Sequence, residues 1–206
     1  MTSLPPTMPI VSGLEAARRL AVEAEQRDTL SQGHLSRVSK YCALLGRAAG
    51  LDEATIGRLS LAAPLHDIGK IALPEAILLK PGPLTIAERR TMQEHTTLGA
   101  HILRGSRRPE MRMAETIALT HHERWDGTGY PFGLRGGQIP IEGRICAIGD
   151  VFDALTSVRP YKDAWTMSDA LSEMWRQAGR QFDEGLVALF TSDPGAIKAI
   201  HDHRRR

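Results

Sequence analysis

Residue types suited to bind metal ions recur along this 206-residue sequence, which contains eight histidines. The candidates in helix-like segments are His34, His66, Asp67, His95, His121, His122 and Asp150. Neutral imidazole and carboxylate groups together suit iron, manganese or zinc, and no cysteine lies near them, which argues against a structural thiolate zinc site. Seven donors exceed the needs of one ion, so the set predicts a two-metal centre with Asp67 as the bridging carboxylate.

The remaining histidines are expected to lie outside this centre. His101 follows His95 by six residues, which is about 240° around a helix, so its side chain should face elsewhere. His201 and His203 flank Asp202 near the end of the sequence, where a frayed and solvated segment is expected.

Helical periodicity dominates the segments that must position these residues. Apolar residues recur at three- and four-residue spacing over most of residues 14–200, which predicts a single all-α domain. Residues 1–13 contain three prolines and predict a flexible N-terminal arm, and residues 201–206 form a basic C-terminal tail. Residues 132–145 carry glycines and Pro140 around a few branched residues, which predicts a short β-hairpin-like insertion.

Several residues predict where individual helices begin or end. Asp52 and Ser168 are suited to cap helix N-termini, and Thr85 with Glu88 forms a capping box ahead of one long helix that continues past His95. Gly50 is expected to stop the helix before it. A later helix should run through His121 and His122 and be ended by Asp126, Gly127 and Gly129.

Composition places the chain among ordinary globular proteins. Apolar residues make up 42%, and a net charge of +2 with a pI near 8.7 suits a small anionic ligand but does not favour a nucleic acid polymer. The first ten residues do not read as a secretion signal, and no apolar run approaches the length of about 18 residues that predicts a membrane span. Cys42 and Cys146 lack CxxC spacing and are expected to be reduced core thiols, so a cytoplasmic location is predicted.

Four motifs in this sequence resemble a known family. They are "HDIGK" from His66, "EHTTLGAHIL" around His95, "HHERWDGTGYP" from His121, and "GDVFDALTSVRPYK" ending at Lys162. In order and spacing they are similar to the HD-GYP subgroup of the HD-domain metal-dependent phosphohydrolases. The resemblance implies a single HD-domain helical bundle with a phosphodiesterase centre. It also implies hydrolysis of cyclic di-GMP to linear pGpG, and in some members onward to GMP, by a metal-bridging hydroxide.

The resemblance also implies a division of the ligands between two divalent ions, with iron or manganese favoured as the metal. His34, His66 and Asp150 would hold one ion, and His95, His121 and His122 the other, with Asp67 between them. Lys70 would contact phosphate or protonate the leaving oxygen, and Asp153 would orient Lys70.

Substrate contacts are implied at two further places. Arg159 and Lys162 match positions that bind the phosphates of the dinucleotide. Gly129, Tyr130 and Pro131 lie in the segment of residues 123–131, here called the GYP loop, which is expected to form a substrate wall or a partner-docking surface.

Two departures from the family pattern carry predictions. Members with three metals have a glutamate where this sequence has Leu30, so two metals are expected here. Glu25 and Asp28 are nearby but do not match that position, and both are interpreted as surface charges. Pro64 replaces an aliphatic residue and should kink the helix two residues before His66.

Other activities and partners also fit the sequence. The chain could hydrolyse another cyclic dinucleotide, such as cyclic GMP-AMP, or a nucleotide, or it could be a catalytically weak cyclic di-GMP sensor that docks GGDEF-domain proteins. Its activity would be constitutive or controlled by a separate receiver or sensor protein, and a homodimer is also compatible.

Overall fold

The computed structural model of the chain describes residues 13–28, 33–158 and 163–202. Its helices are α1 (Gly13–Asp28), α2 (His34–Ala48), α3 (Glu53–Ala62), α4 (Glu75–Leu78), α5 (Ile86–Gln93), α6 (His95–Leu103), α7 (Pro109–Thr120), α8 (Ile141–Thr156), α9 (Met167–Arg176), α10 (Glu184–Thr191) and α11 (Pro194–Asp202). Short 3₁₀ turns occupy Ala63–Leu65, Ile68–Ala72 and Gly136–Gln138. Within these described ranges there is no β-strand, and the predicted all-α fold is confirmed.

Helices α2 and α8 pack against each other in the core. Buried residues of α2 recur at three- and four-residue spacing, so one continuous face of this helix is turned into the protein. Tyr41 of α2 meets Phe152 of α8 and Phe190 of α10 edge-to-face, with ring centroids 5.3 and 5.9 Å away. His34 lies on the same buried face of α2 as Tyr41, so the core packing also fixes a candidate ligand.

Three of the predicted helix ends are confirmed. Asp52 accepts a hydrogen bond from the backbone N–H of Thr55 at 2.9 Å and caps α3. Thr85 and Glu88 form the expected capping box at the start of α5. Gly50 follows α2 with a φ of 75°, a left-handed conformation that glycine adopts without steric cost.

The predicted β-hairpin-like insertion at residues 132–145 is wrong. The segment forms a loop with the 3₁₀ turn Gly136–Gln138 and then enters α8 directly after Pro140. The backbone N–H of Ile139 donates to the carbonyl of Gly136 at 3.1 Å, so the chain is bonded locally rather than to a second strand. Adjacent glycines and a proline favour such a turn as much as they favour a hairpin.

Two predicted helices are shorter than expected. The helix predicted to continue from Thr85 past His95 is divided into α5 and α6 at Glu94. At this boundary Nδ1 of His95 is hydrogen-bonded to the carbonyl oxygen of Met92. Helix α7 ends at Thr120, so Asp126, Gly127 and Gly129 do not end it as predicted. In both places a histidine side chain bonds a carbonyl of the preceding turn and competes with the helical ladder.

Two local predictions concern helices α3 and α9. Pro64 interrupts the helical pattern as expected, since α3 ends at Ala62 and Pro64 lies in the following 3₁₀ turn. The predicted cap of α9 is wrong, because Thr166 and not Ser168 accepts the backbone N–H of Asp169, at 3.1 Å. Both residues are hydroxyl-bearing, so the sequence alone did not separate them.

Helix α1 begins at Gly13, so the predicted arm lies outside the described residues except for this last position. Residues His201 and Asp202 of the predicted tail belong to α11, and the rest of the tail is not described. Among the described residues, no helix combines the length and the apolar character needed to cross a membrane.

Candidate metal centre

The seven predicted ligand residues come together from five separate parts of the chain. His34 and Asp150 lie on α2 and α8, and the others lie in or beside the 3₁₀ turns and the ends of α6 and α7. They form two adjoining groups, within each of which the candidate ligand atoms lie no more than 4.8 Å apart. The first group contains His34, His66 and Asp150, and the second contains Asp67, His95, His121 and His122.

Asp67 lies between the two groups. Its Oδ2 atom is 3.3 Å from Nε2 of His66 in the first group. Its Oδ1 atom is 3.2 Å from Nε2 of His95 and 3.6 Å from Nε2 of His121 in the second. A carboxylate whose two oxygens face different donor sets has the geometry expected of a bridging ligand.

The separations between the donor atoms suit metal binding better than hydrogen bonding among the donors themselves. Ligand atoms at about 2.1 Å from one ion lie about 3.0–3.5 Å apart at octahedral to tetrahedral angles. The observed separations are similar, including 3.5 Å between Nε2 of His34 and Oδ1 of Asp150. Nε2 of His66 and Oδ1 of Asp67 are buried and have no hydrogen-bond partner in the described structure, which is costly unless a ligand satisfies them.

The protonation of the imidazoles also bears on metal binding, because only the neutral ring can ligate. Burial lowers the pKa of His95 to about 4, and burial with the nearby charges of His121 and His95 holds the pKa of His122 well below its usual value. Burial acts in the same direction on His66, but the charges of Asp67 and Asp150 outweigh it and raise its pKa well above the usual value. His95 and His122 are therefore ready to ligate near neutral pH, whereas at His66 a metal would compete with a proton.

Lys70 and Asp153 occupy different parts of the centre. Nζ of Lys70 lies 2.6 Å from Oδ2 of Asp67, and together with His66 it holds the pKa of Asp67 well below its usual value against the effect of burial. The expectation that Asp153 orients Lys70 is wrong, because the oxygens of Asp153 accept hydrogen bonds from His34, Arg37 and Ser157 instead. These partners overcome the effect of burial and lower the pKa of Asp153 to about 2.

The GYP loop folds over the second group. The ring of Tyr130 stacks on His122, with centroids 4.8 Å apart and planes 25° apart, and burial raises the pKa of its hydroxyl. Glu123 is buried and its carboxylate accepts the backbone N–H groups of Phe132 at 2.8 Å and Leu134 at 2.9 Å. Glu123 thus fixes the far end of the loop and with it the position of Tyr130.

Two glycines permit backbone contacts that no other residue would allow. A Cβ atom at Gly129 would lie 2.4 Å from the backbone nitrogen of Arg124 and 2.6 Å from the carbonyl oxygen of His122. A Cβ atom at Gly69 would lie 2.0 Å from the carbonyl oxygen of His95. The first contact closes the GYP loop, and the second brings the turn after Asp67 against α6.

Other residues named from the sequence lie apart from the centre or outside the described structure. His101 is exposed on α6, as expected, and His201 pairs with Asp202 near the end of α11. Glu25 is half-buried, and the side chain of Asp28 is not described. Outside the described residues fall Leu30, Arg159, Lys162 and His203.

Arg37 and Glu123 are the residues that sequence reasoning missed. Arg37 follows His34 by three positions and therefore shares its helix face, a spacing that could have marked it as a neighbour of the centre. Glu123 directly follows the paired histidines, but its role depends on a backward bend of the chain that its spacing does not indicate.

Comparison with known proteins identifies the family to which this fold belongs. The family model described as HD domain matches residues 18–186, so the chain belongs to the HD-domain family, whose phosphohydrolases are metal-dependent. The resemblance to the HD-GYP subgroup is likewise confirmed.

Two relatives with named activities are similar to this chain over most of its length. The chain is 48% identical over 173 residues to a cyclic di-GMP phosphodiesterase response regulator, RpfG, of Xanthomonas campestris, with 84% of this chain and 46% of the relative covered. It is 49% identical to a 3′3′-cGAMP-specific phosphodiesterase of Vibrio cholerae, with 82% and 32% covered. The chain thus spans less than half the length of these relatives.

A solved structure shares the fold. A cyclic GMP-AMP phosphodiesterase of V. cholerae superposes with a TM-score of 0.64 at 19% identity, covering 89% of this chain and 50% of that one. At this level of identity the likeness concerns the fold alone.

Proposed function

We propose that this chain is a metal-dependent phosphodiesterase that hydrolyses cyclic di-GMP to linear pGpG. The observation that carries the proposal is the convergence of seven histidine and aspartate side chains into two groups that share Asp67. Relatives named as cyclic di-GMP phosphodiesterases support the choice of substrate.

Two divalent ions, iron or manganese, would occupy the two groups. When bound, such ions lower the pKa of a water, align it with the phosphorus and neutralise charge on the phosphoryl oxygens. His34, His66 and Asp150 would hold one ion and His95, His121 and His122 the other, with Asp67 shared. Since Leu30 cannot ligate, a third ion is not expected.

The chain's own charged side chains would bind and orient the substrate. Nζ of Lys70 lies 2.6 Å from the shared carboxylate, so its ammonium group is suited to contact a phosphate oxygen or to give a proton to the leaving oxygen. Arg159 and Lys162 are proposed to bind the phosphates of the dinucleotide, because a guanidinium fork and an ammonium group both suit phosphate oxygens. Tyr130, held by its stack on His122, would form a wall beside the substrate together with Gly129 and Pro131.

A second candidate substrate is 3′3′-cyclic GMP-AMP. The 49% identity to a relative that is named for this substrate favours it as strongly as the identity to RpfG favours cyclic di-GMP. Both substrates present the same phosphodiester to the centre and differ in one base, so the same metal chemistry serves both.

The experiment is a matched pair of histidine variants on one helix. Protein purified without oxygen is loaded with iron or manganese, its metal content is measured, and its products from both cyclic dinucleotides are separated. His95→Ala should lose metal and turnover, whereas His101→Ala should keep both. Equal losses in the two variants, a metal-to-protein ratio near three, or binding of cyclic di-GMP without linearisation would contradict the proposal, and the last result would favour a sensor role.

Partner and location are proposed on separate grounds. Phe132, directly after the GYP loop, is 61% exposed and offers an apolar contact for a GGDEF-domain protein or a second copy of the chain. Phe132→Ser should abolish such an association in pull-down and light-scattering measurements and leave metal content unchanged. The free, buried thiols of Cys42 and Cys146 support a reducing compartment such as the cytoplasm.

A further inference from the structure

The ring of His34 is held differently from the rings of His66, His95 and His121. In His66, His95 and His121, Nδ1 lies 2.7–3.0 Å from a backbone carbonyl oxygen three or four residues earlier. In His34, Nδ1 lies 2.7 Å from Oδ2 of Asp153, a buried carboxylate on α8. His34 alone among these four therefore depends on a charged side chain from another helix.

Asp153 is in turn held by Arg37. Nε of Arg37 donates to Oδ1 at 2.5 Å and Nη2 donates to Oδ2 at 2.8 Å, so the guanidinium group binds both oxygens in a bidentate pair. The Arg37 side chain is 4% exposed and that of Asp153 is fully buried. Ser157 adds a third donor, 3.2 Å from Oδ2.

A purely structural ion pair does not explain this arrangement well. Desolvation of two buried charges offsets most of their attraction, so such a pair adds little stability compared with apolar residues of the same volume. A carboxylate that accepts the Nδ1 proton of a histidine does have a specific consequence. It keeps the proton on Nδ1 and leaves the lone pair of Nε2 free, and this atom of His34 lies 3.5 Å from Oδ1 of Asp150.

We propose that Asp153 and Arg37 are positioning residues for the metal position formed by His34, His66 and Asp150. Asp153 fixes the tautomer and the ring orientation of His34, and Arg37 fixes Asp153. The inference rests on the proposed function, because it assigns a role toward the metal centre of that same site. It assigns no such role to the second group, in which backbone carbonyls hold the rings of His95 and His121.

Asp153→Asn is the informative substitution because it preserves size and removes one acceptor. The asparagine amide has a single oxygen, so its NH₂ group must replace either Oδ1, which faces Nε of Arg37, or Oδ2, which faces both Nη2 of Arg37 and Nδ1 of His34. Either arrangement sets the NH₂ group against an N–H donor of Arg37, and the second also forces the ring proton of His34 onto Nε2, where it blocks the metal. Loss of such an outer hydrogen bond typically weakens metal affinity 10–100-fold.

The test measures Mn²⁺ binding to the two positions by equilibrium dialysis without substrate, together with the ring-nitrogen NMR signals of His34 in the metal-free protein. Asp153→Asn and Arg37→Met should each weaken the affinity for one of the two Mn²⁺ ions 10–100-fold. The affinity for the other ion should stay within about twofold of wild type. Asp153→Asn should also change the His34 tautomer signature, which a merely structural role would not do. Arg37→Lys should recover part of the affinity, since it restores the positive charge.

The control is Arg144→Met, which removes another guanidinium–carboxylate contact of α8, at 2.6 Å to Asp183. This pair belongs to neither metal group, so both Mn²⁺ affinities should stay at wild-type values. Unchanged affinities in Asp153→Asn, or equal weakening of both ions in Asp153→Asn and Arg144→Met, would overturn the inference. Because binding is measured without substrate, a wild-type protein that binds two ions but hydrolyses nothing would contradict the proposed function alone.

Discussion

Gly69 joins the HD motif to helix α6, and its replacement by alanine probes how closely the metal centre depends on backbone packing. The added Cβ atom would lie 2.0 Å from the carbonyl oxygen of His95 and 2.4 Å from the backbone nitrogen of Gly99. Ordinary contact begins at 3.4 Å, so the oxygen is about 1.4 Å too close. Both neighbours are backbone atoms, so no side-chain rotation can relieve the clash.

The expected cost of Gly69→Ala follows from this geometry. Overpacking a well-filled interior typically costs 1–3 kcal/mol, and a clash with two backbone atoms belongs at or above about 3 kcal/mol. Relief requires α6 to move away from the turn by about 1 Å, and His95 would move with it. The separation of 3.2 Å between its Nε2 atom and Asp67 would then increase, so metal should be lost together with stability.

The assay is urea unfolding combined with metal analysis, and Gly57→Ala is the matched control. Gly57 lies exposed in α3 with no atom within 4 Å of an added Cβ, so alanine there should stabilise the protein by about 0.5–1 kcal/mol. Gly69→Ala with wild-type unfolding midpoint and full metal content would refute the inferred close approach. A loss of stability in both variants would point to an effect of alanine itself rather than of the site.

Three further predictions concern other parts of the fold. Glu123→Gln replaces a buried carboxylate that accepts hydrogen bonds from the backbone N–H groups of Phe132 and Leu134. It should lower the free energy of unfolding, measured by urea titration, by about 2–3 kcal/mol. An unchanged free energy of unfolding would mean that other contacts hold the loop. The hydrogen bond from Lys80 is the main cause that lowers the pKa of Glu88 to about 2 from 4.5, so this carboxylate contributes stability above pH 4.5 that is lost as the pH falls through about 2. Lys80→Met should raise that pKa in an NMR titration, and no shift would exclude the contact in solution. Removal of metal with a chelator should lower the thermal midpoint, since an ion at 100 times its dissociation constant contributes about 2.7 kcal/mol, and re-added Mn²⁺ should restore it.

The sequence was informative where periodicity and capping act locally. The helical class, the caps at Asp52 and Thr85 and the interruption at Pro64 all depend on neighbours within four residues, and all agree with the structure. The grouping of the candidate ligands followed from the family motifs, because spacing along the chain does not say which distant helices meet. In the structure His34, His66 and Asp150 lie in one group and Asp67, His95, His121 and His122 in the other, and the binding of an ion by each group stays a prediction.

The predictions that were wrong concern competition between contacts of similar strength. Glycines and Pro140 permit either a hairpin or a 3₁₀ turn, and only the docking of α8 decides between them. The assignment of Asp153 to Lys70 followed the family pattern, but in the structure the buried guanidinium of Arg37 on α2 binds Asp153. Long-range choices of this kind are decided by burial, which a single sequence does not display.

The hydrogen bonds that hold the histidine rings also differ in the length of chain that they close. Those of His95 and His121 span three and four residues and can form with the adjacent helical turn. The bond from His34 to Asp153 spans 119 residues and requires α2 and α8 to have met. Since closing a longer loop costs more conformational entropy, the first group of candidate ligands is completed only when α2 and α8 have packed together, and metal bound there would report on that long-range contact.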